Sequence, residues 1–254
     1  MKRQSTEVVK LYRGTTEISK IYHGTSLYYD KDVHPDIPLE YIANGPDELI
    51  TVNVGFDTGI DVATYIKNLK IEVKAAAYRT SGTNNICGAV RQNSWDGIAI
   101  YAFRNGEHTV SSRLHTTVIT YSDNFTSNTP FVASTYYDTS DVNPNNSSQY
   151  RGKLIVDGQT TASSGYITVN SRNFNIIICG QNSMTSTDGT IYLNNNQSGV
   201  KTYYAKIWNG NTLIRNYSPV LHYINGQYVP SFYDSVNNNY IYNSGTDAPI
   251  YVIK

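Results

Sequence analysis

The chain has 254 residues, of which 39% are hydrophobic and 16% charged, and 20 Lys and Arg balance 20 Asp and Glu to a formal net charge of zero. That balance excludes the basic footprint required by nucleic acid or an anionic membrane, and no apolar run reaches the roughly 18 residues a membrane-spanning helix needs. Twenty-three tyrosines against 6 phenylalanines, with abundant Thr, Asn, Ser and Gly, instead describe pleated strands joined by turns.

Met1 to Glu7 lacks the apolar stretch of a secretory signal, so synthesis in a cytosol without export by that route is expected. Residues 8–29 then carry a ten-residue repeat. Lys10-Leu11-Tyr12-Arg13-Gly14-Thr15 is echoed by Lys20-Ile21-Tyr22-His23-Gly24-Thr25, each copy reading as strand, Gly-Thr turn, strand. Residues 1–29 are therefore expected to form a small N-terminal β-meander arm. It either lies on the main domain or attaches to a partner, because so few strands are not stable alone. Two prolines and three aspartates make residues 30–38 a linker, and the main domain is placed at residues 39–254.

From there the pattern is strand after strand. Residues 39–42 and 49–56 are predicted strands. Residues 69–77 follow, with Leu69, Ile71 and Val73 inward and Lys70, Glu72 and Lys74 outward, the period of a strand with one wet face. Residues 86–90, 97–103 and 108–114 continue the series, with a hairpin turn expected at 104–107. Residues 152–156 and 159–162 flank an Asp157-Gly158 turn, and the apolar run 174–179 reads as a central strand. The polar stretches 122–149 and 181–199 are expected to be long loops. Cys87 and Cys179 lack CxxC partners; buried reduced thiols are the expectation, with a long-range disulfide as the alternative.

The C-terminal fifth reads as a meander. In residues 200–208, Tyr204, Lys206 and Trp208 share one side. Asn209-Gly210 predicts a type I′ turn, which needs positive φ at both central residues. A strand over 212–217 runs to Pro219, which cannot donate to a ladder and so marks its end or an edge. Asn225-Gly226 marks another turn, before a strand over 227–233.

Several of these segments together resemble the concanavalin A-like lectin/glucanase superfamily, in particular the laminin-G-like domains of bacteriophage tail and fibre proteins. They are Glu40-Tyr41-Ile42, Phe56-Asp57-Thr58-Gly59-Ile60, Asn85-Ile86-Cys87-Gly88, Lys153-Leu154-Ile155-Val156-Asp157-Gly158, Lys201 to Trp208, Leu213 to Pro219 and Ser231-Phe232-Tyr233-Asp234. The resemblance covers residues 39–245 and implies an all-β jelly-roll β-sandwich. It further implies a non-enzymatic virion structural protein of a tail, baseplate or head fibre, assembled in the host cytoplasm. Other virion proteins would be held through the arm, a host-surface glycan bound by the lectin-like domain, and a homo-oligomer, with a trimer favoured, expected at a fibre position. Glycosidases of that superfamily carry a Glu-x-Asp-x-x-Glu type strand whose carboxyls, in retaining chemistry, sit about 5–5.5 Å apart. None of the six glutamates here lies in such a pattern. A polysaccharide-cleaving hydrolase on the same fold, with carboxylates from distant strands, is the alternative.

Candidate site residues are few. The five histidines show no HxxxH spacing, and there is no Gly-x-Ser-x-Gly elbow or phosphate-cradling loop. Trp95 with Asp96, and Tyr136-Tyr137 with Asp138, join a flat apolar face to a carboxylate, the pairing sugar recognition uses. Packing is the commoner role for such neighbours in a tyrosine-rich chain. Asp138, Asp141, Asn143 and Asn145 gather hard oxygen donors of the type calcium prefers, although their spacing is not that of an EF-hand and a solvated loop explains them as well. No other cofactor is expected.

Overall fold

The computed structural model describes residues 12–13, 16–17, 20–23, 26–30, 34–45, 53–65, 67–78, 82–91, 96–103, 108–122, 125–169, 173–184, 193 and 199–254. Two hairpins come first, β1 (Tyr12–Arg13) with β2 (Thr16–Glu17) and β3 (Lys20–His23) with β4 (Ser26–Asp30), each flanking one Gly-Thr pair of the repeat. Among the described residues each hairpin forms its own two-stranded sheet. There follow β5 (Ile37–Ala43), β6 (Phe56–Asp61), a helical turn α1 (Val62–Tyr65), β7 (Leu69–Ala77), β8 (Asn84–Arg91), β9 (Gly97–Ala102), β10 (Thr109–Leu114) and β11 (Thr117–Ser122). The chain continues through β12 (Phe131–Asn143), β13 (Asn146–Val156), β14 (Gln159–Thr168), β15 (Asn175–Ile178) and β16 (Asn182–Met184). It ends in β17 (Val200–Asn209), β18 (Thr212–Ile224), β19 (Gln227–Asp234), β20 (Asn239–Tyr242) and β21 (Ile250–Ile253).

Two sheets face each other. The smaller runs β11-β10-β9-β8-β15-β6, with β16 beside β8; the larger runs β14-β13-β12-β7-β17-β5-β18-β19-β20, with β21 on β5. The core between them follows from period-two alternation. Leu69, Ile71 and Val73 of β7, Ala133 and Tyr137 of β12, Leu154 of β13 and Ile207 of β17 face Phe56, Ile86, Ile98, Ile100, Val110 and Ile178. Phe56 and Phe232, one from each sheet, meet edge to face at 4.9 Å. Tyr217 of β18 crosses the interior and donates its hydroxyl to the Thr58 carbonyl at 3.3 Å. The central strand expected at 174–179 is β15, paired on one side with β8 and on the other with β6.

Several local expectations are corrected. The stretch 122–149 is no loop: it holds most of the long β12–β13 hairpin, whose Thr, Ser and Asn side chains line the wet face and distal end of a two-stranded extension. At the β17–β18 turn, Asn209 pairs with Thr212, so the central residues are Gly210 and Asn211, and only Gly210 has positive φ (57°). That is the type II′ pattern, not type I′. Asp157-Gly158 (46° and 83°) and Asn225-Gly226 (51° and 86°) do take positive φ at both residues. Pro219 does not end its strand. β18 pairs with β17 as far as Tyr217 and with β5 from Val220 onward, so the proline falls in the gap where the strand changes partner. The linker is not free at its C-terminal side, because Ile37 and Pro38 already belong to β5. Of the strand placed at 49–56, residues 53–55 belong to no strand and Phe56 opens β6. Residues 104–107, residues 49–52 and most of the stretch 181–199 lie outside the described residues.

Candidate functional site

The outer faces of the two sheets differ. Every residue of β9 and β10, and all of β8 except Arg91, is buried, so the smaller sheet offers little surface there. The larger sheet alternates buried with half-buried positions along β7, β12, β13 and β17, and its outer face carries aromatic and charged side chains.

Strand register assembles them. Lys153 of β13 is paired with Tyr136 of β12, Tyr136 with Lys70 of β7, and Lys70 with Trp208 of β17. One line across four adjacent strands thus reads cation, ring, cation, ring. At about 4.8 Å per strand it is roughly 14 Å long. The Lys70 ammonium lies 4.7 Å from the Trp208 ring centre and 5.9 Å from that of Tyr136. Burial, and then the nearby Asp138 charge, push the Tyr136 phenol up from its ordinary value.

The acids of this face are matched. Glu72 lies 3.6 Å from the Lys206 ammonium and accepts the Tyr204 hydroxyl at 3.3 Å. Burial first, then that carboxylate, push the Tyr204 phenol up to about 12. Asp138 lies 3.6 Å from Lys153 and accepts the N–H and hydroxyl of Ser140. Its carboxyl is held below the usual range, chiefly by the Ser140 hydroxyl, with Ser140 N–H and Lys153 adding to it against the opposing effect of burial. Asp141 accepts Arg151 Nε at 2.8 Å and the Tyr166 hydroxyl at 3.1 Å.

Of the residues singled out in the sequence, Tyr136 and Asp138 belong to this face. Tyr137, its neighbour in β12, points the other way: it is 3% exposed, a member of the core, and has no ring face to offer a ligand. Asp96 is 1% exposed and lies near enough for its charge to raise the Tyr137 phenol further, after burial. Tyr137 and Asp96, both singled out for sugar recognition, are thus buried. Trp95 lies outside the described residues.

The calcium reading finds no support. Asp138 and Asp141 are already engaged by Lys153 and Arg151 of the facing strand. Asn143 accepts the Asn145 N–H and donates to Gln149, while Asn145 is exposed at the hairpin tip. Among the described residues no group of three or more His, Cys, Asp and Glu side chains could hold a metal ion. Lys70, Lys153 and Trp208 were missed as site residues. Their outward orientation is legible from alternation, but the pairing that lines them up joins segments far apart in sequence.

A second constellation fastens residues 34–36 to the C-terminal meander. His34 stacks on Tyr223 at 3.5 Å, Asp36 meets His222 Nδ1 at 2.9 Å and accepts the Tyr240 hydroxyl at 2.6 Å, and His222 stacks on Tyr240 at 3.7 Å. The Asp36 hydrogen bond, foremost, pushes the Tyr240 phenol up to about 12.

No protein-family model matches the sequence, and no curated protein matches it. Solved structures do. A candidate carbohydrate-binding protein from Bacteroides ovatus is similar with a TM-score of 0.50 at 12% identity, over 84% of this chain and 62% of that one. A heptameric SAP-like pentraxin from Limulus polyphemus gives 0.49 at 10% identity, over 87% and 98%. The CBM40 of the Ruminococcus gnavus IT-sialidase gives 0.43 at 10% identity, over 69% and 90%. At such identities the likeness is one of fold, and the fold is the jelly-roll β-sandwich expected from the sequence.

Proposed function

We propose that this chain is a lectin-like module whose larger sheet binds a glycan along the line Lys153, Tyr136, Lys70, Trp208. The observation that carries this reading is the registered alternation of ring and cation across four strands, on an otherwise well-packed sandwich. Rings present flat apolar faces to the C–H faces of sugars, and ammonium groups donate to hydroxyls. Many shallow contacts of this kind give weak affinity per chain, raised when several copies act together. The carrier is a bacteriophage virion protein, a reading supported by the Ile/Leu-Tyr-x-Gly-Thr hairpins of the arm and the laminin-G-like order of segments. Its oligomer presents several such faces, and the arm holds the other virion proteins.

For the hydrolase alternative a proton donor to a glycosidic oxygen needs a raised pKa, whereas Asp138 is held low. Glu72, Asp138 and Asp141 each face a cation, and an opposite charge nearby favours the charged form of a carboxyl. The test is a glycan-array and calorimetric comparison of the wild type with Tyr136→Ala/Trp208→Ala. Loss of binding by at least tenfold, with the unfolding midpoint unchanged and no new reducing ends, supports the reading. Undiminished binding by the folded double variant refutes the site. A strictly monomeric full chain that does not associate with particles refutes the virion assignment.

A further inference from the structure

We infer that the glycan taken by this face is acidic, its anionic group drawn to Lys70. This rests on the glycan reading above and narrows it to a ligand class. The argument is one of unmatched charge. On the outer face Glu72, Asp138 and Asp141 each face one cation, Lys206, Lys153 and Arg151 respectively. Lys70, Lys74 and Lys201 remain, and their ammonium groups meet aromatic rings: Tyr136 and Trp208 for Lys70, Tyr203 for Lys74, and Tyr41 and Tyr78 for Lys201, which also donates to the Asn128 side chain at 2.8 Å. Among the described residues none of the three is seen in an ion pair. They are not equivalent: Lys70 sits between two rings, Tyr136 and Trp208, on the strands either side of β7, whereas Lys74 meets a single ring, Tyr203.

The position of Lys70 also discriminates between neutral and charged sugars. Its ammonium rests over the ring faces a sugar would stack on, 4.7 Å from the Trp208 ring centre, and is attracted by them. A neutral sugar must compete with the lysine for those rings. An acidic sugar draws the ammonium to its own anion and frees the rings for its pyranose faces. Tyr136 and Trp208 lie two strand spacings apart, about 10 Å, so neighbouring residues of one oligosaccharide can reach both. Carboxylate and sulfate ester share this chemistry.

The experiment measures binding of the full chain to oligogalacturonates, oligomannuronates and sialic-acid-terminated oligosaccharides, each beside its neutral methyl ester, and to a sulfated oligosaccharide. Polyglutamate serves as a polyanion without sugar. The acids are expected to bind at least tenfold more tightly than their esters. Lys70→Gln should abolish the preference, Lys70→Arg should keep it and Lys74→Gln should leave it unchanged. Binding of the sulfated sugar alone, lost in Lys70→Gln, supports the inference and assigns the anion to sulfate. Acid and ester binding equally, both lost in Tyr136→Ala/Trp208→Ala, overturns the inference while the glycan reading stands. No binding to any sugar overturns both, and polyglutamate bound as tightly as the acids overturns the inference, since the rings then read nothing.

Discussion

Replacing Asp234 by alanine removes the acceptor that ties β18 and β19 of the larger sheet to the turn leading into β20. The carboxylate is fully buried at the end of β19. Its Oδ1 accepts the N–H of Asn216 on β18 at 2.9 Å and that of Val236 in the following turn at 3.1 Å. Its Oδ2 accepts Asn237 Nδ2 at 2.8 Å and faces Arg215 Nε at 3.5 Å. Alanine leaves two partly buried backbone N–H groups without their acceptor and the partly exposed Arg215 without its counter-charge. An unsatisfied buried donor costs about 1–3 kcal/mol and a partly buried one sits at the low end, so the change should cost roughly 2–4 kcal/mol. That is a large share of the ~5–15 kcal/mol that holds a typical protein folded. Asp234→Asn keeps an oxygen for the two N–H groups but turns an amide N–H₂ toward Arg215 and Asn237, so about half the loss is expected. Urea unfolding followed by tryptophan fluorescence reads both as midpoint shifts at constant slope. An alanine variant within 1 kcal/mol of the wild type, or an asparagine variant as damaged as the alanine one, refutes the reasoning.

Gly88→Ala should cost about 2–4 kcal/mol by thermal or urea unfolding, because φ is +145° and a Cβ there would run into the Ile98 carbonyl and Ala99 of β9; an unchanged midpoint contradicts this. Cys87 and Cys179 are free and buried, and burial pushes both thiols up, Cys179 to about 12. At pH 8 Ellman's reagent should label neither until the sandwich opens, and rapid stoichiometric labelling of the native chain counts against the placement. Asp36→Ala should lose about 1 kcal/mol from a partly exposed contact and let the Tyr240 phenol fall from about 12 toward the ordinary ~10, read by NMR titration of labelled tyrosine. An unmoved Tyr240 titration shows that the hydrogen bond is not the cause.

How much was legible in the sequence divides along physical lines. β7 was read to the residue because Leu69, Ile71 and Val73 alternate with three charges, and burial on one face leaves no other register for such a segment. β15 was legible because a nearly all-apolar run is stable only between two neighbours. The β12–β13 hairpin was misread because its outer half has little apolar content: Thr139, Ser140, Asn145 and Asn146 suit a loop as well as a solvated two-stranded ribbon, and backbone pairing decides between them. Pro219 misled for a related reason, since a proline ends a strand unless the strand is changing partner at that point. The candidate site was half visible. Tyr136 was found by its chemistry, but Tyr137 looked identical in sequence and only the parity of the strand separates them.

That parity links packing to binding. Tyr137 is held in the core, and in an extended strand this obliges Tyr136 to stand on the outer face. Likewise Leu69 and Ile71, buried on either side of Lys70, fix which way the lysine points, and Ile207 does the same for Trp208. The line of rings and cations therefore has no scaffold of its own. Its alignment is the outer image of the register by which β13, β12, β7 and β17 fill the core, and slipping any of these strands by one residue would exchange its two faces. The larger sheet can vary its outer chemistry without repacking, whereas nothing on the inner face can change parity without dismantling the site. A face of this kind is suited to acquiring ligand specificity by single outward substitutions, and Lys70, which meets rings and no carboxylate, stands where such a substitution would be read.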